Sequence, residues 1–181
     1  NIINGGKHAD SGLDIQEFLL IPTGFSEFRE KIRVGAEIFH TLKDILHKQN
    51  YSVGVGDEGG FAPHHRSNEE ALDLMVKAIK EAGYTTEQVK VGFDAAASSF
   101  YHDGAYHLQA ASPPQKLTSE QLIVWYQKLT EKYPLMLIED ALAEDDWEGF
   151  QSFNQQLGNK LINVGDDLTV TNTSRIQSAA D

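Results

Sequence analysis

Short apolar runs alternate with amphipathic segments along the chain, and this alternation restricts the fold more than any other feature. The apolar runs predict strands at residues 17–22, 89–94, 135–140 and 161–167. Apolar residues that recur every three or four positions predict helices at residues 25–49, 67–83, 118–133 and 146–157, with another beginning near Asn172. Continuous apolar character at 135–138 is typical of parallel strands that helices cover on both faces. The sequence therefore predicts an α/β fold.

Local signals mark the ends and faces of several elements. The first helix is predicted to bury one face, formed by Phe28, Ile32, Gly35, Phe39, Leu42 and Leu46. Ser67 followed by Glu70 predicts a capping box at the start of the second helix. Asp103-Gly104 lies between two short aromatic runs and predicts a hairpin turn. The segment Ser112-Pro113-Pro114 predicts an exposed loop.

The 181 residues leave the architecture of the sheet open between two alternatives. An eight-stranded α/β barrel usually needs about 250 residues, and only some four strand–helix units fit here. The fold is either a smaller doubly wound sheet or a (β/α)8-type barrel that is cut at both ends. Because the chain begins with Asn1 and stops at Asp181 inside a predicted helix, we expect it to be a piece of a longer protein.

Composition excludes several classes of function. Fifteen basic against 27 acidic residues give a formal net charge of −12, which argues against a broad surface for nucleic acid. The chain has no cysteine, so disulfides, thiolate zinc sites and a cysteine nucleophile are excluded. No apolar run approaches the roughly 18 residues that a membrane-spanning helix needs. The absence of cysteine fits a protein of the reducing cytoplasm, and the charge still allows a small phosphorylated ligand that a few local groups hold.

Three of the predicted strands end in carboxylates, which include Asp94, Glu139 and Asp166. Because the carboxyl ends of parallel strands meet at one edge of a sheet, we expect these acids to lie at the same end. Several oxygen ligands without cysteine suit a hard cation such as Mg²⁺. The alternative is that each acid only caps the helix that follows it, and the residues alone leave both interpretations open.

Two glycine-rich segments carry further candidates for chemistry. Residues 54–63 enclose Glu58, a candidate general acid, although a solvated turn is the simpler interpretation of this segment alone. Residues 4–12 could form a mobile lid whose Lys7 or His8 meets an anionic substrate, whereas a frayed terminal loop is the simpler interpretation. The other six histidines, including His64, His65 and His102, show no metal-binding spacing and are expected at the surface.

Taken in order, these motifs resemble the enolase family. The resemblance rests on Asn4-Gly5-Gly6-Lys7-His8-Ala9, Gln16-Glu17-Phe18, Gly56-Asp57-Glu58-Gly59-Gly60-Phe61-Ala62-Pro63, Ile138-Glu139-Asp140, Ala143-Glu144-Asp145-Asp146-Trp147 and Gly165-Asp166-Asp167-Leu168-Thr169-Val170-Thr171-Asn172. It implies that residues 1–181 are part of the enolase C-terminal barrel domain, a partial (β/α)8-type barrel. The N-terminal α+β domain and the end of the barrel would then be absent.

The resemblance also implies a reaction and a role for each candidate residue. The reaction is the Mg²⁺-dependent, reversible dehydration of 2-phosphoglycerate to phosphoenolpyruvate, a hydro-lyase step of glycolysis. Asp94, Glu139 and Asp166 match the Mg²⁺ ligands, and Asp166 also lies at the substrate. Glu58 matches the acid that protonates the departing hydroxyl, with Glu17 beside it. Gln16 lines the site, and His8 matches the lid histidine. A homodimer or larger oligomer is also implied.

The chain departs from the family pattern in ways that keep an alternative function open. The base lysine and the phosphate-binding arginine and serine of the family lie beyond the motif that ends at Asn172, so this stretch alone is expected to be inactive. Ser99 and Ala141 also differ from the usual pattern. The alternative is a catalytically inactive enolase-like fragment or paralogue with a binding or structural role. A Mg²⁺-dependent phosphatase or phosphotransferase fits less well, because Asp94 lacks a second aspartate two residues away.

Overall fold

The computed structural model describes residues 1–111 and 113–180. The helices of this described part are α1 (Phe28–Lys48), α2 (Asn68–Glu81), α3 (Ser119–Lys132), α4 (Trp147–Leu157) and α5 (Thr173–Ala180). Its strands are β1 (Ile3–Asn4), β2 (Glu17–Ile21), β3 (Lys90–Asp94), β4 (Tyr101–His102), β5 (Ala105–Leu108), β6 (Gln115–Leu117), β7 (Leu135–Glu139) and β8 (Ile162–Val164). Short 3₁₀ turns occur at Gly6–His8 and Ala97–Phe100. None of the described helices is long and apolar enough to cross a membrane.

The main sheet has five strands in the order β1-β2-β3-β7-β8. Strands β3, β7 and β8 are parallel to one another, as predicted from the apolar runs. Strand β2 is antiparallel to both of its neighbours, so the expectation of parallel strands is wrong for it. Two consecutive helices, α1 and α2, connect β2 to β3, whereas the single helix α4 connects β7 to β8. The two helices return the chain to the end of the sheet at which it left β2, where Ile21 pairs with Lys90. Strand β3 therefore runs in the direction opposite to β2.

Burial along β7 is lower than its continuous apolar character predicts. Only Ile138 of this strand is buried, and Leu135, Met136 and Leu137 keep partial contact with solvent. The five strands form an open sheet within the described residues, so the face that would point into a closed barrel remains accessible. The prediction of burial on both faces is therefore wrong for β7, although it holds for β3, where the consecutive residues Val91, Gly92 and Phe93 are all buried.

Helix α1 buries a different stripe from the one that its spacing predicted. Its buried residues are Val34, Ile38, Leu42, Ile45 and Leu46. Phe28 and Ile32 were predicted to be buried, yet they are 75% and 58% exposed. The packed face begins at Val34, because no described residue covers the first turns of the helix. Only the C-terminal part of the predicted face belongs to the core.

Only one of the two hydrogen bonds of the predicted capping box is present at the start of α2. The Ser67 hydroxyl accepts a hydrogen bond from the Glu70 N–H at 3.1 Å. The Glu70 carboxylate does not return to Ser67, because it accepts hydrogen bonds from the Arg66 N–H at 2.6 Å and the Tyr51 hydroxyl at 2.7 Å. A complete capping box occurs instead at the start of α3, between Thr118 and Gln121.

A small antiparallel sheet of β4, β5 and β6 follows the end of β3. The predicted hairpin turn is present, and both Asp103 and Gly104 have positive φ there. Strand β6 was not predicted. Of the predicted loop at 112–114, Ser112 lies outside the described residues, and Pro113 and Pro114 are exposed.

Aromatic packing beneath the main sheet holds the strand ends in place. The ring of Phe93 lies 6.4 Å from that of Phe18 on β2 and 5.8 Å from that of Tyr126 on α3, measured between centroids. The buried Tyr126 hydroxyl donates a hydrogen bond to the Ala141 carbonyl at 2.9 Å. Helix α3 is thereby tied to the segment that follows β7. This packing positions the edge of the sheet at which the acidic residues lie.

Candidate functional site

Four carboxylates gather at one edge of the main sheet. Asp94 is in register with Glu139 on the parallel strand β7 and with Glu17 on the antiparallel strand β2. Glu139 is in turn in register with Val164 of β8, and Asp166 follows two residues later. The antiparallel direction of β2 is what places Glu17, its first residue, at the edge where β3 and β7 end. The structure thus brings the predicted residues Asp94, Glu139 and Asp166 to one end of the sheet.

Burial and repulsion from neighbouring carboxylates make Asp94 and Glu139 hard to ionise in the absence of a cation. Burial is the largest cause that raises the pKa of Glu139 to about 7, and the charges of Asp94, Asp140 and Asp166 add to it. Burial likewise raises the pKa of Asp94 to about 6, with Asp140 and Glu17 contributing. A divalent cation would remove this repulsion, and oxygen donors are those that Mg²⁺ prefers. The donor set therefore fits Mg²⁺.

Hydrogen bonds fix the orientation of Asp94. One carboxylate oxygen, Oδ2, accepts from Gln16 Nε2 at 3.1 Å, and the other accepts from the Ala96 N–H at 2.8 Å. The Gln16 N–H also donates to the Asp94 carbonyl at 3.0 Å. The predicted site residue Gln16 is therefore placed in the site, where it contacts a candidate metal ligand directly.

His8, Glu17 and Glu58 form a second group beside these acids. Each offers a ligand atom, and these atoms all lie within 4.8 Å of one another. His8 Nδ1 is 3.2 Å from Glu17 Oε1. His8 Nδ1 has no hydrogen-bond partner among the described residues, so the contact is one of proximity. Within residues 1–111 and 113–180 no other such group meets this limit. At least one of the distances between the carboxylates of Asp94, Glu139 and Asp166 is therefore longer than 4.8 Å.

The two glycine-rich segments contact each other, and this contact brings Glu58 to His8. The Asp57 N–H donates to the His8 carbonyl at 3.1 Å, and the Gly60 N–H donates to Asn4 Oδ1 at 2.8 Å. A Cβ atom on Gly56 would lie only 2.7 Å from the His8 carbonyl oxygen, so only glycine fits there without a shift.

The simpler interpretations of these two segments are therefore wrong or incomplete. Residues 4–12 are not a frayed terminal loop, because Asn4 and Gly5 are buried and the Gly5 N–H donates to the Gln16 carbonyl at 2.9 Å. The 54–63 segment is a turn whose tip, at Asp57 to Gly59, is exposed, while Gly60 and Phe61 are buried.

An open cleft of about 540 Å³ lies between these two segments, lined in part by Lys7, His8 and Asp57. A larger cleft of about 700 Å³, lined by Ser98, Tyr101 and residues 143–148, contains none of the predicted site residues.

Asp140 is a residue of the site that sequence reasoning did not assign. It is 3% exposed, and its side chain accepts hydrogen bonds from the Asp167 and Leu168 N–H groups. The available signal was its position, directly after Glu139 at the end of a predicted strand. An acid at this position is equally compatible with solvent exposure, so the pattern alone could not show its contacts.

His65 contradicts the prediction that the remaining histidines lie at the surface. Its side chain is fully buried, and burial lowers its pKa to about 4. Neither ring nitrogen has a hydrogen-bond partner among the described residues, and Nδ1 lies 3.8 Å from Glu70 Oε2. His64 and His102 are exposed, as expected. Nothing in the local sequence distinguishes His65 from His64, so this burial could not be predicted.

One comparison with known proteins identifies the family of the chain. The sequence model of the enolase C-terminal TIM barrel domain matches residues 1–181. The match covers the whole chain, including each of the motifs that carry Asp94, Glu139, Asp166 and Glu58. It resolves the alternative that composition and length left open, because the described sheet is part of an α/β barrel rather than a doubly wound sheet.

Proposed function

Because the chain belongs to the enolase C-terminal barrel domain family, we propose that the protein catalyses the Mg²⁺-dependent, reversible dehydration of 2-phosphoglycerate to phosphoenolpyruvate. One observation carries the proposal: the register that places Asp94, Glu139 and Glu17 side by side at one sheet edge. The proposed cation ligands Asp94 and Glu139 are thereby neighbours of Glu17, which lies close to Glu58. This is the combination that removal of a hydroxyl from a carboxylate-bearing substrate needs.

Asp94, Glu139 and Asp166 would hold the Mg²⁺ ion. When bound, Mg²⁺ acts as a Lewis acid that stabilises negative charge developing on the substrate carboxylate. Gln16 orients Asp94 through its hydrogen bond to Oδ2. The exposed position of Asp166 leaves that side of the site open to a ligand.

His8, Glu17 and Glu58 would lie around the substrate where its hydroxyl departs. Glu58 donates a proton as the bond from C3 to oxygen breaks, so that the hydroxyl leaves as water. Glu17, which lies beside His8, contacts the same hydroxyl. His8 lines the open cleft and would meet the phosphate. The proton at C2 would pass to a lysine that the family places after the last motif.

The assignment of Glu58 is tested by Glu58→Gln in the natural full-length protein. We expect turnover to fall on the order of 10²-fold or more, because the amide cannot donate the proton, while Mg²⁺ affinity is unchanged. Turnover is followed as phosphoenolpyruvate formation, and Mg²⁺ affinity by calorimetry. Asp57→Asn is the matched control, since it changes the neighbouring acid of the same exposed turn. If Glu58→Gln and Asp57→Asn had the same turnover, Glu58 would not be the proton donor.

The same measurements separate this function from the alternative of an inactive binding or structural protein. Turnover of 2-phosphoglycerate by the full-length wild type, abolished by a metal chelator and restored by Mg²⁺, supports the enzyme. Tight Mg²⁺ binding without any turnover supports the inactive paralogue. The cytoplasmic location and the homo-oligomer implied by the family belong to the same proposal.

A further inference from the structure

The backbone of Asp140 joins the ends of three strands. Its N–H donates to the Val164 carbonyl of β8 at 2.9 Å, and its carbonyl accepts from the Ala97 N–H, in the segment after β3, at 3.1 Å. Directly before it, the Glu139 carbonyl accepts from the Ala95 N–H at 2.9 Å. The segment after Asp94 is therefore hydrogen-bonded to residues 139 and 140, and the segment before Asp166 is hydrogen-bonded to residue 140.

The side chain of Asp140 adds the third connection. Its Oδ2 accepts from the Asp167 N–H at 2.9 Å and its Oδ1 from the Leu168 N–H at 3.3 Å. These are the two residues directly after Asp166. One carboxylate thus holds the turn that carries Asp166, while the same residue's backbone holds the ends of β3 and β8.

The backbone conformation of Asp140 is unusual for a residue with a side chain. Its φ is 42°, in the left-handed region that most residues avoid. A left-handed residue interrupts the alternation of side chains along an extended strand. Ala96, two residues after Asp94, has the same φ of 42°. Strain of this kind persists where the surrounding contacts enforce it, and it concentrates at functional sites.

We propose that Asp140 is a positioning residue that sets the spacing of Asp94, Glu139 and Asp166 for Mg²⁺, without contacting the metal or the substrate. This inference rests on the proposed function, since it presumes that these three acids are the ligands. Both Asp140 oxygens are occupied by backbone N–H groups, which suits a residue that holds ligands in place rather than one that binds the ion.

Another buried aspartate, Asp14, provides a matched control. Asp14 accepts the N–H groups of two consecutive residues, Gln109 at 2.9 Å and Ala110 at 3.0 Å, with one bond to each carboxylate oxygen. This is the arrangement that Asp140 makes with Asp167 and Leu168. Asp14 also accepts from Asn68 Nδ2 at 3.0 Å. Replacing either aspartate by asparagine places an amide NH₂ against a backbone N–H, so both variants disturb the same pair of backbone hydrogen bonds, and Asp14→Asn also disturbs the bond from Asn68.

The test compares Asp140→Asn with Asp14→Asn in the natural full-length protein. Mg²⁺ dissociation constants are measured by calorimetry without substrate, and thermal unfolding is measured without metal. We expect Asp140→Asn to weaken Mg²⁺ binding at least tenfold, because supporting residues of a metal site commonly contribute 10- to 100-fold in affinity. Asp14→Asn should leave the dissociation constant within about twofold, although both variants lower the unfolding temperature.

Other results would overturn the proposal in recognisable ways. An unchanged Mg²⁺ affinity in Asp140→Asn, with tight binding in the wild type and weak binding in Glu139→Gln, would leave the metal site intact and reduce Asp140 to a structural role. A wild type that does not bind Mg²⁺, or a Glu139→Gln variant that binds it equally well, would overturn the metal site itself and with it this inference.

A measurement on the wild type covers the case in which Asp140→Asn does not fold. Amide hydrogen exchange at Asp167 and Leu168 should be slow in the metal-free protein, and Mg²⁺ should slow it further. Fast exchange at both amides, or no response to Mg²⁺, would show that the carboxylate does not hold this turn.

Discussion

His65 is buried as a neutral imidazole, and this makes stability depend on pH. Its pKa is about 4 in the folded state and close to 6.5 when unfolded. Between these values the unfolded chain binds more protons, so the stabilising effect is fully present above pH 6.5 and is lost as the pH falls toward 4. The loss is on the order of 3 kcal/mol across this window. In His65→Leu, which removes the titrating group, we expect this part of the acid sensitivity to disappear.

Chemical denaturation at pH 4.5 and pH 7.5 measures the effect. His64→Leu is the matched control, because His64 is exposed and adjacent. The difference in unfolding free energy between the two pH values should shrink in His65→Leu and stay as in the wild type in His64→Leu. An equal change in both variants would mean that burial of His65 does not determine the acid sensitivity.

At the level of single residues, the position of a side chain could be predicted where it follows from the end of a strand, but not where it depends on contacts with distant backbone. Asp94 and Glu139 could be placed because each ends an apolar run, and parallel strands bring such ends together. Asp140 and His65 could not be assigned. Their roles depend on which N–H groups or side chains approach them from distant parts of the chain, and no local pattern records this.

Among the structural elements, the contact between residues 4–9 and 56–60 determines where Glu58 lies. An added Cβ at Gly56 would meet the His8 carbonyl and the Asn4 side chain at 2.7 and 2.8 Å, so Gly56→Ala must push the two segments apart. We expect this substitution to lower turnover at least tenfold while leaving Mg²⁺ affinity unchanged, because Asp94, Glu139 and Asp166 lie on other segments. Steady-state kinetics and calorimetry measure the two effects.

Gly35→Ala provides the control for this substitution. Gly35 lies in the middle of α1, and a Cβ there would meet nothing within 4 Å. Alanine in a helix interior is favoured over glycine by about 1 kcal/mol, so this variant should be more stable and fully active. Full activity in Gly56→Ala as well would show that the two glycine-rich segments need not touch for catalysis.

The elements themselves could be predicted because periodicity reports which face of a segment is apolar. The strands at 17–22, 89–94 and 135–140 and the helices after them are present within a few residues of the predicted bounds. The antiparallel direction of β2 depends on how two helices pack between strands, which periodicity does not encode. Phe28 and Ile32 fit the apolar spacing of α1, yet spacing does not show where along the helix a covering surface begins.

Over the whole molecule the formal net charge is −12, and several of the carboxylates lie side by side at one edge of the main sheet. Folding brings Asp94, Glu139 and Asp140 together there, and burial and mutual repulsion raise the pKa of each. The folded state therefore holds protons that the unfolded chain has already released. For these groups, the stability of the metal-free protein falls as the pH rises from about 4 toward the folded pKa values near 6 and 7.

Mg²⁺ should reverse this loss, and its effect should itself depend on pH. Because the ion binds the ionised carboxylates and competes with their protons, its stabilising effect should be small at pH 5, grow through pH 6 and 7, and level off above pH 7.5. When the free Mg²⁺ concentration is 100 times the dissociation constant, the free energy of unfolding increases by about 2.7 kcal/mol. Thermal unfolding of the full-length protein with MgCl₂ or with NaCl of equal ionic strength separates binding from charge screening. In Glu139→Gln both the gain and its pH dependence should decrease. A gain that is the same at pH 5 and pH 7.5 would mean that Mg²⁺ does not bind at this edge of the sheet.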